Sequence, residues 1–112
     1  MDMKFEQFGD VAVVAVPGKD LDAANTSAFR SAIGPLLDAH RKMVLDLSQL
    51  RFVDSSGLGA FLSCLRQLNA KGGELKLCGL SQQVYQTFEL VRMTRIFDIY
   101  STKNEAVKAF QP

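Results

Sequence analysis

The sequence has little of what metal sites and disulfide frameworks require. Its 112 residues include one histidine, His40, two cysteines, Cys64 and Cys78, and no tryptophan. Neither cysteine belongs to a paired motif, and a zinc site at the usual spacing needs more histidine and cysteine ligands than these. We therefore expect two buried free thiols and no metal site.

The sequence also lacks long apolar runs and an excess of charge of either sign. No apolar stretch approaches the length that spans a bilayer, and the first residues, MDMKFEQFGD, lack the apolar core of a signal peptide. Thirteen basic and 12 acidic residues give a net charge of +1, which offers no electrostatic footprint for nucleic acid or an anionic membrane. We expect a cytoplasmic protein that binds neither nucleic acid nor membranes directly.

The residues that are present have an ordinary globular composition, 47% hydrophobic and 22% charged. Short strand-like runs alternate with helix-like runs in the order ββαβαβαβα, with no linker or repeat between them. Strand-helix-strand units predict parallel pairing, and the first two strands predict an antiparallel hairpin around Gly9-Asp10. The predicted fold is α/β: one domain over residues 1–112, with a mixed, mostly parallel sheet of about five strands and about four helices.

Several residues mark the expected ends of the helices. Asp22 and Asn25 are alternative caps for the first helix, in which Gly34-Pro35 predicts a kink or break near Ile33. Signals at the other helix ends are Ser81 as a cap, Thr102 with Glu105 as a capping box, and Gly72 or Gly73 as a left-handed end.

The stretch FVDSSGLGAFLSCL, which begins at Phe52, joins a short apolar run to an amphipathic helix. We expect Phe52 and Val53 to enter the core. The apolar residues that repeat on one face of the helix are Leu58, Phe61, Leu62, Leu65 and Leu68. The polar turn between these two parts lies where a strand meets the next helix, and functional sites gather at such junctions in α/β folds.

Two interpretations of the turn Asp54-Ser55-Ser56 are open from the residues alone. Aspartate and serine are preferred helix caps, so the turn needs no function to explain it. It nevertheless holds more capping oxygens than one cap requires, and Gly57 and Gly59 each cost roughly 1 kcal/mol relative to alanine in a helix interior. Glycine gives access to the backbone, and a helix N-terminus favours a bound or covalent phosphate.

The motifs resemble the STAS domain of bacterial anti-sigma factor antagonists over nearly the whole chain. The matching segments are Leu45-Asp46-Leu47, Val53-Asp54-Ser55-Ser56-Gly57-Leu58-Gly59, Lys71-Gly72-Gly73, VYQTFELV with RIFDIY, and Leu21-Asp22. Two features depart from the family pattern: one extra residue in Gly18-Lys19-Asp20-Leu21-Asp22, and Gly34-Pro35 in the first helix. Both lie outside the serine turn and concern the partner surface near the first helix.

The resemblance implies a phosphorylation switch in a regulatory protein that is not an enzyme. The unphosphorylated form would bind an anti-sigma factor that is also a serine kinase of the GHKL type, and so release a sigma factor. The kinase, using its own ATP and magnesium, would phosphorylate the serine directly after the aspartate, which is Ser55, with Ser56 the second choice. A PP2C-type phosphatase would restore the first state, and the free protein is expected to be a monomer without a cofactor.

The resemblance also predicts which residues face the partner. These residues are Asp22, Asp54, Ser55, Ser56, Gly57, Leu58 and Gly59. Ser56 is expected to be the cap or a supporting hydroxyl, and for Asp22 a plain capping role is equally open.

Two other functions compete with the switch. The first is a STAS interaction module that is not phosphorylated, as a subunit of a lipid-transport or signalling complex. The second is a hydrolase with Ser55 or Ser56 as nucleophile, which needs a base. His40 is the single histidine and lies near the end of the first helix, and DSSGLG lacks the Gly-x-Ser-x-Gly elbow. The hydrolase therefore has little support.

Overall fold

The computed structural model describes residues 1–111 and contains seven strands and four α-helices in that range. The strands are β1 Lys4–Phe8, β2 Val11–Ala15, β3 Asp20–Leu21, β4 Lys42–Asp46, β5 Phe52–Val53, β6 Glu74–Cys78 and β7 Asp98–Tyr100. The helices are α1 Thr26–Ala39, α2 Ser55–Ala70, α3 Gln82–Leu90 and α4 Lys103–Lys108, with a 3-10 turn at Met93–Arg95.

Five of the strands form the main sheet, in the order β1-β2-β4-β6-β7. The β1–β2 pair is an antiparallel hairpin around Gly9, which has a φ of +62°, and the other three pairs are parallel. The predicted α/β class, with a hairpin beside parallel strands, is confirmed. The continuous apolar run VAVVA in β2 fits its place inside the sheet, where both faces are covered.

The sheet separates two apolar layers because successive side chains of a strand point to opposite faces. On one face, Phe29 of α1, Phe61 of α2 and Phe88 of α3 join a large core, and neighbouring rings in this series lie 5.6 and 6.1 Å apart between centroids. On the other face, α4 covers a smaller cluster that includes Val44 and Cys78. Helices α1, α2 and α3 therefore pack on the same face of the sheet.

Helix α1 runs without interruption through Gly34-Pro35, so of the predicted kink or break near Ile33 the break does not occur. Proline clashes partly with the Cβ of the residue before it, and Gly34 has none. Ile33 and Leu37, each 2% exposed, anchor the helix to the core on both sides of Pro35. Pro35 itself is exposed, so water can reach the carbonyl group that loses its helical donor.

The capping side chains predicted for α3 and α4 and the left-handed residue at the end of α2 are confirmed. Ser81 Oγ accepts a hydrogen bond from Val84 N at 3.2 Å, and Thr102 Oγ1 accepts one from Glu105 N at 3.1 Å. Gly72, with a φ of +77°, takes the left-handed conformation at the end of α2.

The two cysteines are buried and unpaired, as predicted. Burial raises the pKa of both the Cys64 and Cys78 thiols to about 12. At neutral pH almost none of either thiol is therefore in the reactive thiolate form, and both act as small apolar side chains.

Candidate functional site

A two-stranded parallel ribbon, β3 with β5, lies outside the main sheet and supports the serine turn. Lys19 O accepts hydrogen bonds from Arg51 N and Phe52 N, at 2.7 and 3.1 Å. Asp54 N then donates to Leu21 O at 3.2 Å. The ribbon was not predicted, because strands of two residues are too short to show a periodic pattern. It brings the loop after β3 beside the start of α2.

Asp54 joins these two segments through both oxygens of its carboxylate. Oδ1 accepts a hydrogen bond from Gly57 N at 3.0 Å and caps α2. Oδ2 accepts one from Ala23 N at 3.1 Å, in the loop before α1. An ionised carboxylate accepts several hydrogen bonds through two oxygens, whereas a serine offers a single oxygen. Aspartate is therefore the better residue for a cap that must also hold a second loop.

Because Asp54 is the cap, the predicted capping role of Ser56 is wrong. Ser55 is the first residue of α2 and is exposed, and Ser56 follows it, half-buried. Within residues 1–111, the hydrogen bonds that close this turn involve Asp54 and backbone groups and neither serine hydroxyl. The Ser55 hydroxyl is thus presented to solvent on a fixed turn.

Asp22 shapes the loop before α1 instead of capping the helix. Its Oδ1 accepts a hydrogen bond from Ala24 N at 3.0 Å, and its backbone oxygen accepts one from Thr26 N at 3.0 Å. Asn25 occupies the cap position, but its side chain bonds back, accepting from Asp22 N at 2.9 Å. The carboxylates of Asp22 and Asp54 therefore belong to one connected pair of loops.

The two glycines of the turn have different surroundings. A Cβ on Gly57 would lie 2.5 Å from Leu21 O and 2.7 Å from Val53 Cγ1, so glycine lets α2 approach the ribbon closely. A Cβ on Gly59 would meet no atom within 4 Å. The fold therefore requires Gly57 but not Gly59. Leu58, between them, is only 5% exposed and packs in the core, so its predicted place in a partner surface is wrong for its side chain.

The chain matches the family model of the STAS domain over residues 2–106. This chain belongs to the STAS domain family. It is similar to the anti-sigma F factor antagonist of Paenibacillus polymyxa, with 28% identity over 109 residues that cover 96% of this chain and 92% of that protein. It is also similar to the anti-sigma-B factor antagonist of Bacillus subtilis, with 29% identity over 86 residues, 77% of this chain and 78% of that protein.

A solved structure has the same fold. The crystal structure of an anti-sigma factor antagonist from Mycobacterium paratuberculosis superposes with a TM-score of 0.88 and 25% identity, covering 99% of this chain and 94% of that one. The STAS resemblance of the motifs is confirmed. In residues 1–111 of this STAS chain, no helix has the length and apolar character to cross a membrane, and no group of three or more His, Cys, Asp or Glu side chains is placed to bind a metal.

Phe52 is 49% exposed in this STAS domain, so the prediction that it enters the core is wrong. Val53, the next residue, is 2% exposed and is buried as predicted. The two residues form strand β5, and alternation along a strand sends one side chain inward and the next outward. The apolar character of both residues hid this difference in the sequence.

His40 lies far from the serine turn. Helix α1 starts after the loop that Asp54 binds and ends at His40, which puts about 20 Å of helix between them. The His40 ring packs against Phe5, with centroids 5.2 Å apart. A general base must be within hydrogen-bonding reach of its nucleophile, so this STAS domain has no histidine base for Ser55 or Ser56.

Proposed function

We propose that this chain is an anti-sigma factor antagonist that is switched by phosphorylation of Ser55. In its unphosphorylated form it binds an anti-sigma factor, and that binding releases a sigma factor. The names of the relatives in Paenibacillus polymyxa and Bacillus subtilis support the antagonist role. The chain acts by binding, and it contributes no catalytic residue of its own.

One observation carries the choice of Ser55. Asp54 caps α2 and binds the neighbouring loop, so the exposed Ser55 hydroxyl is not needed to hold the turn. Phosphoryl transfer depends on placing the acceptor oxygen in line with the γ-phosphate. A hydroxyl at the rigid start of a helix meets that requirement better than the half-buried Ser56.

Charge explains how the phosphate changes binding. A phosphoserine carries about −1.5 to −2 charges at neutral pH, and the positive end of the α2 dipole accommodates them in the free chain. In a complex the same dianion loses water and lies beside Asp54 and the loop of Asp22. Burying charge without a partner costs several kcal/mol, and 1.4 kcal/mol is already a tenfold change in affinity.

The partners supply the chemistry of the switch. We assign the transfer to the anti-sigma factor itself, acting as a serine kinase of the GHKL type with its own ATP and magnesium. A PP2C-type phosphatase removes the phosphate and restores binding. Gly59, which the fold does not require, gives the partner close access to the backbone of α2, and Asp22 with Asp54 forms the polar rim around Ser55.

Mass spectrometry after kinase treatment tests the site. The wild-type chain, Ser55→Ala and Ser56→Ala are each incubated with a purified GHKL-type anti-sigma factor of the source organism and Mg-ATP. We expect one phosphate on the wild type and on Ser56→Ala and none on Ser55→Ala, because Ser55 is the more exposed of the two serines at the start of α2.

Two outcomes would contradict the proposal in different ways. Unchanged phosphorylation of Ser55→Ala would overturn the assignment of the site. A wild-type chain that binds the anti-sigma factor but gains no phosphate from a kinase of verified activity would identify an unswitched interaction module.

A further inference from the structure

We propose that the outward face of the β3–β5 ribbon, formed by Phe52 and Asp20, is a second contact surface for the anti-sigma factor, with Phe52 as its apolar anchor. This inference rests on the proposed function. It adds Phe52, which lies just before the serine turn, to the surface that the partner contacts.

The ribbon has one buried face and one open face. Leu21 and Val53 are paired in the parallel register and are 0% and 2% exposed. Asp20 and Phe52 form the other registered pair and share the opposite face, because successive residues of a strand alternate between faces. Phe52 is 49% exposed and Asp20 is exposed.

The open face lies close to Ser55, which is also exposed. Phe52 precedes Ser55 by three residues, a span of roughly 10 Å in extended chain. A standard interface buries about 800 Å² on each partner, which is wide enough to include both residues. A protein that covers the Ser55 hydroxyl with an interface of this size therefore also contacts the ribbon.

Phe52 has the features of an anchor residue. Large aromatic side chains in the middle of an interface carry much of the binding energy, and a polar ring around them excludes water. Asp20 lies opposite Phe52 on the ribbon, and the exposed residues Lys19 and Arg51 precede the two strands. The complementary surface on the anti-sigma factor is an apolar pocket with charged groups at its edge.

The ribbon also holds Phe52 in place before binding. Backbone hydrogen bonds to Lys19 O and Leu21 O fix the strand on both sides of Phe52, and the Asp54 carboxylate ties its end to the loop before α1. An anchor that is already ordered loses less entropy on binding. The other strongly exposed apolar residues, Leu90, Val91 and Ile96, lie at the C-terminal end of α3 and beyond it.

Calorimetric titration with a purified GHKL-type anti-sigma factor of the source organism tests the anchor. The variant is Phe52→Thr, which removes the ring and places a β-branched residue of good strand propensity in β5. The matched control is Phe5→Thr, because Phe5 is also a strand phenylalanine and is 41% exposed, but on the edge strand β1. We expect Phe52→Thr to bind at least about tenfold more weakly than the wild type, and Phe5→Thr to bind within about twofold of it.

A second measurement keeps a large aromatic side chain at position 52, so its result does not depend on whether a truncated variant folds stably. We expect photo-crosslinking to the anti-sigma factor when p-benzoylphenylalanine replaces the residue at position 52, and none when it replaces the residue at position 5. Wild-type affinity of Phe52→Thr, an equal loss in Phe5→Thr, or crosslinking from position 5 alone would overturn the anchor while leaving the proposed function intact. Failure of the wild-type chain to bind any such anti-sigma factor would overturn the proposed function and the anchor together.

Discussion

At the residue scale, the carboxylate of Asp54 makes the hydrogen bonds that order the serine turn, which leaves the two serine hydroxyls free for other contacts. One oxygen caps α2 and the other binds Ala23 N, so a single side chain orders the turn and its neighbouring loop. The serines then contribute hydroxyls that the fold does not use. Asp54 therefore has the structural role in this turn, while Ser55 is exposed and Ser56 is half-buried.

Removing Asp54 should destabilise the protein measurably. We expect Asp54→Ala to lower the free energy of unfolding by about 1–2 kcal/mol, because it deletes the cap and leaves Ala23 N without its acceptor. Asp54→Asn keeps one acceptor oxygen for the cap and should lose less. Urea denaturation measures both, with the exposed Asp2→Ala as a control. A value for Asp54→Ala within 0.5 kcal/mol of the control, a spread of about the size usual for surface substitutions, would contradict this account.

At the element scale, the first two turns of α2 have one glycine that the packing requires and one that it does not. Gly57 lies against the ribbon backbone, while Gly59 faces open space. Glycine lowers the stability of a helix relative to alanine, and no packing contact within the chain requires a glycine at position 59. We therefore assign Gly59 a role in binding, in which the absence of a side chain lets a partner approach the backbone of α2 closely.

Alanine substitutions at these two positions should act in opposite directions on stability. Gly59→Ala should raise the free energy of unfolding by up to about 1 kcal/mol through helix propensity and should weaken binding to the anti-sigma factor. Gly57→Ala should lower it, because its Cβ would meet backbone at 2.5 Å. Denaturation and calorimetry on each variant give both quantities. A stabilised Gly59→Ala that binds as well as the wild type would mean that Gly59 is not a contact point.

The elements with a clear period were predictable from the sequence, and those without one were not. The parallel sheet, the hairpin and the caps Ser81 and Thr102 follow from apolar periodicity and from side chains that accept orphan backbone donors. The β3–β5 ribbon has two residues per strand, so no period exists to detect, and the outward direction of Phe52 depends on that ribbon. The uninterrupted course of α1 depends on packing at Ile33 and Leu37, which outweighs the local effect of Pro35.

The serine turn itself was recognisable as a site, but the division of roles within it was not. The position of the turn between a strand and a helix follows from the element order. The bond that caps α2 is local, from Gly57 N to Asp54 Oδ1, but the second bond of the same carboxylate comes from Ala23 N, 31 residues away in the sequence. Only the tertiary structure shows that these two residues meet.

At the scale of the whole molecule, the face of the sheet under α4 is separate from the serine turn. Lys76 is 5% exposed there, and its Nζ lies 3.1 Å from Asp98 Oδ2 and 4.8 Å from the centroid of the Phe110 ring. Burial alone would lower the pKa of Lys76, but its hydrogen bond to Asp98 raises it above the ordinary value. Lys76 therefore stays charged and connects β6, β7 and the end of the chain.

Substitution of Lys76 should lower the stability of the fold without changing the affinity for the anti-sigma factor. We expect Lys76→Ala to lower the free energy of unfolding by about 1–3 kcal/mol through lost packing of its stem and lost pairing with Asp98, and to leave the affinity for the anti-sigma factor unchanged. Because the folded pKa of Lys76 is raised above its ordinary value, Lys76 stays protonated through neutral and mildly alkaline pH, and deprotonation of Lys76 weakens the pair only in strongly alkaline solution. The loss of unfolding free energy in Lys76→Ala should therefore be the same when denaturation is measured at pH 6 and at pH 9. A loss of affinity in Lys76→Ala would show that the two faces are coupled.

The most direct test of the switch compares the affinity of one anti-sigma factor for the unphosphorylated chain and for the chain phosphorylated at Ser55, by calorimetric titration. We predict that the phosphate weakens binding at least about tenfold, while the melting temperature of the free chain changes little because α2 accommodates the charge. Equal affinities for the two forms, with both folded, would contradict the electrostatic switch.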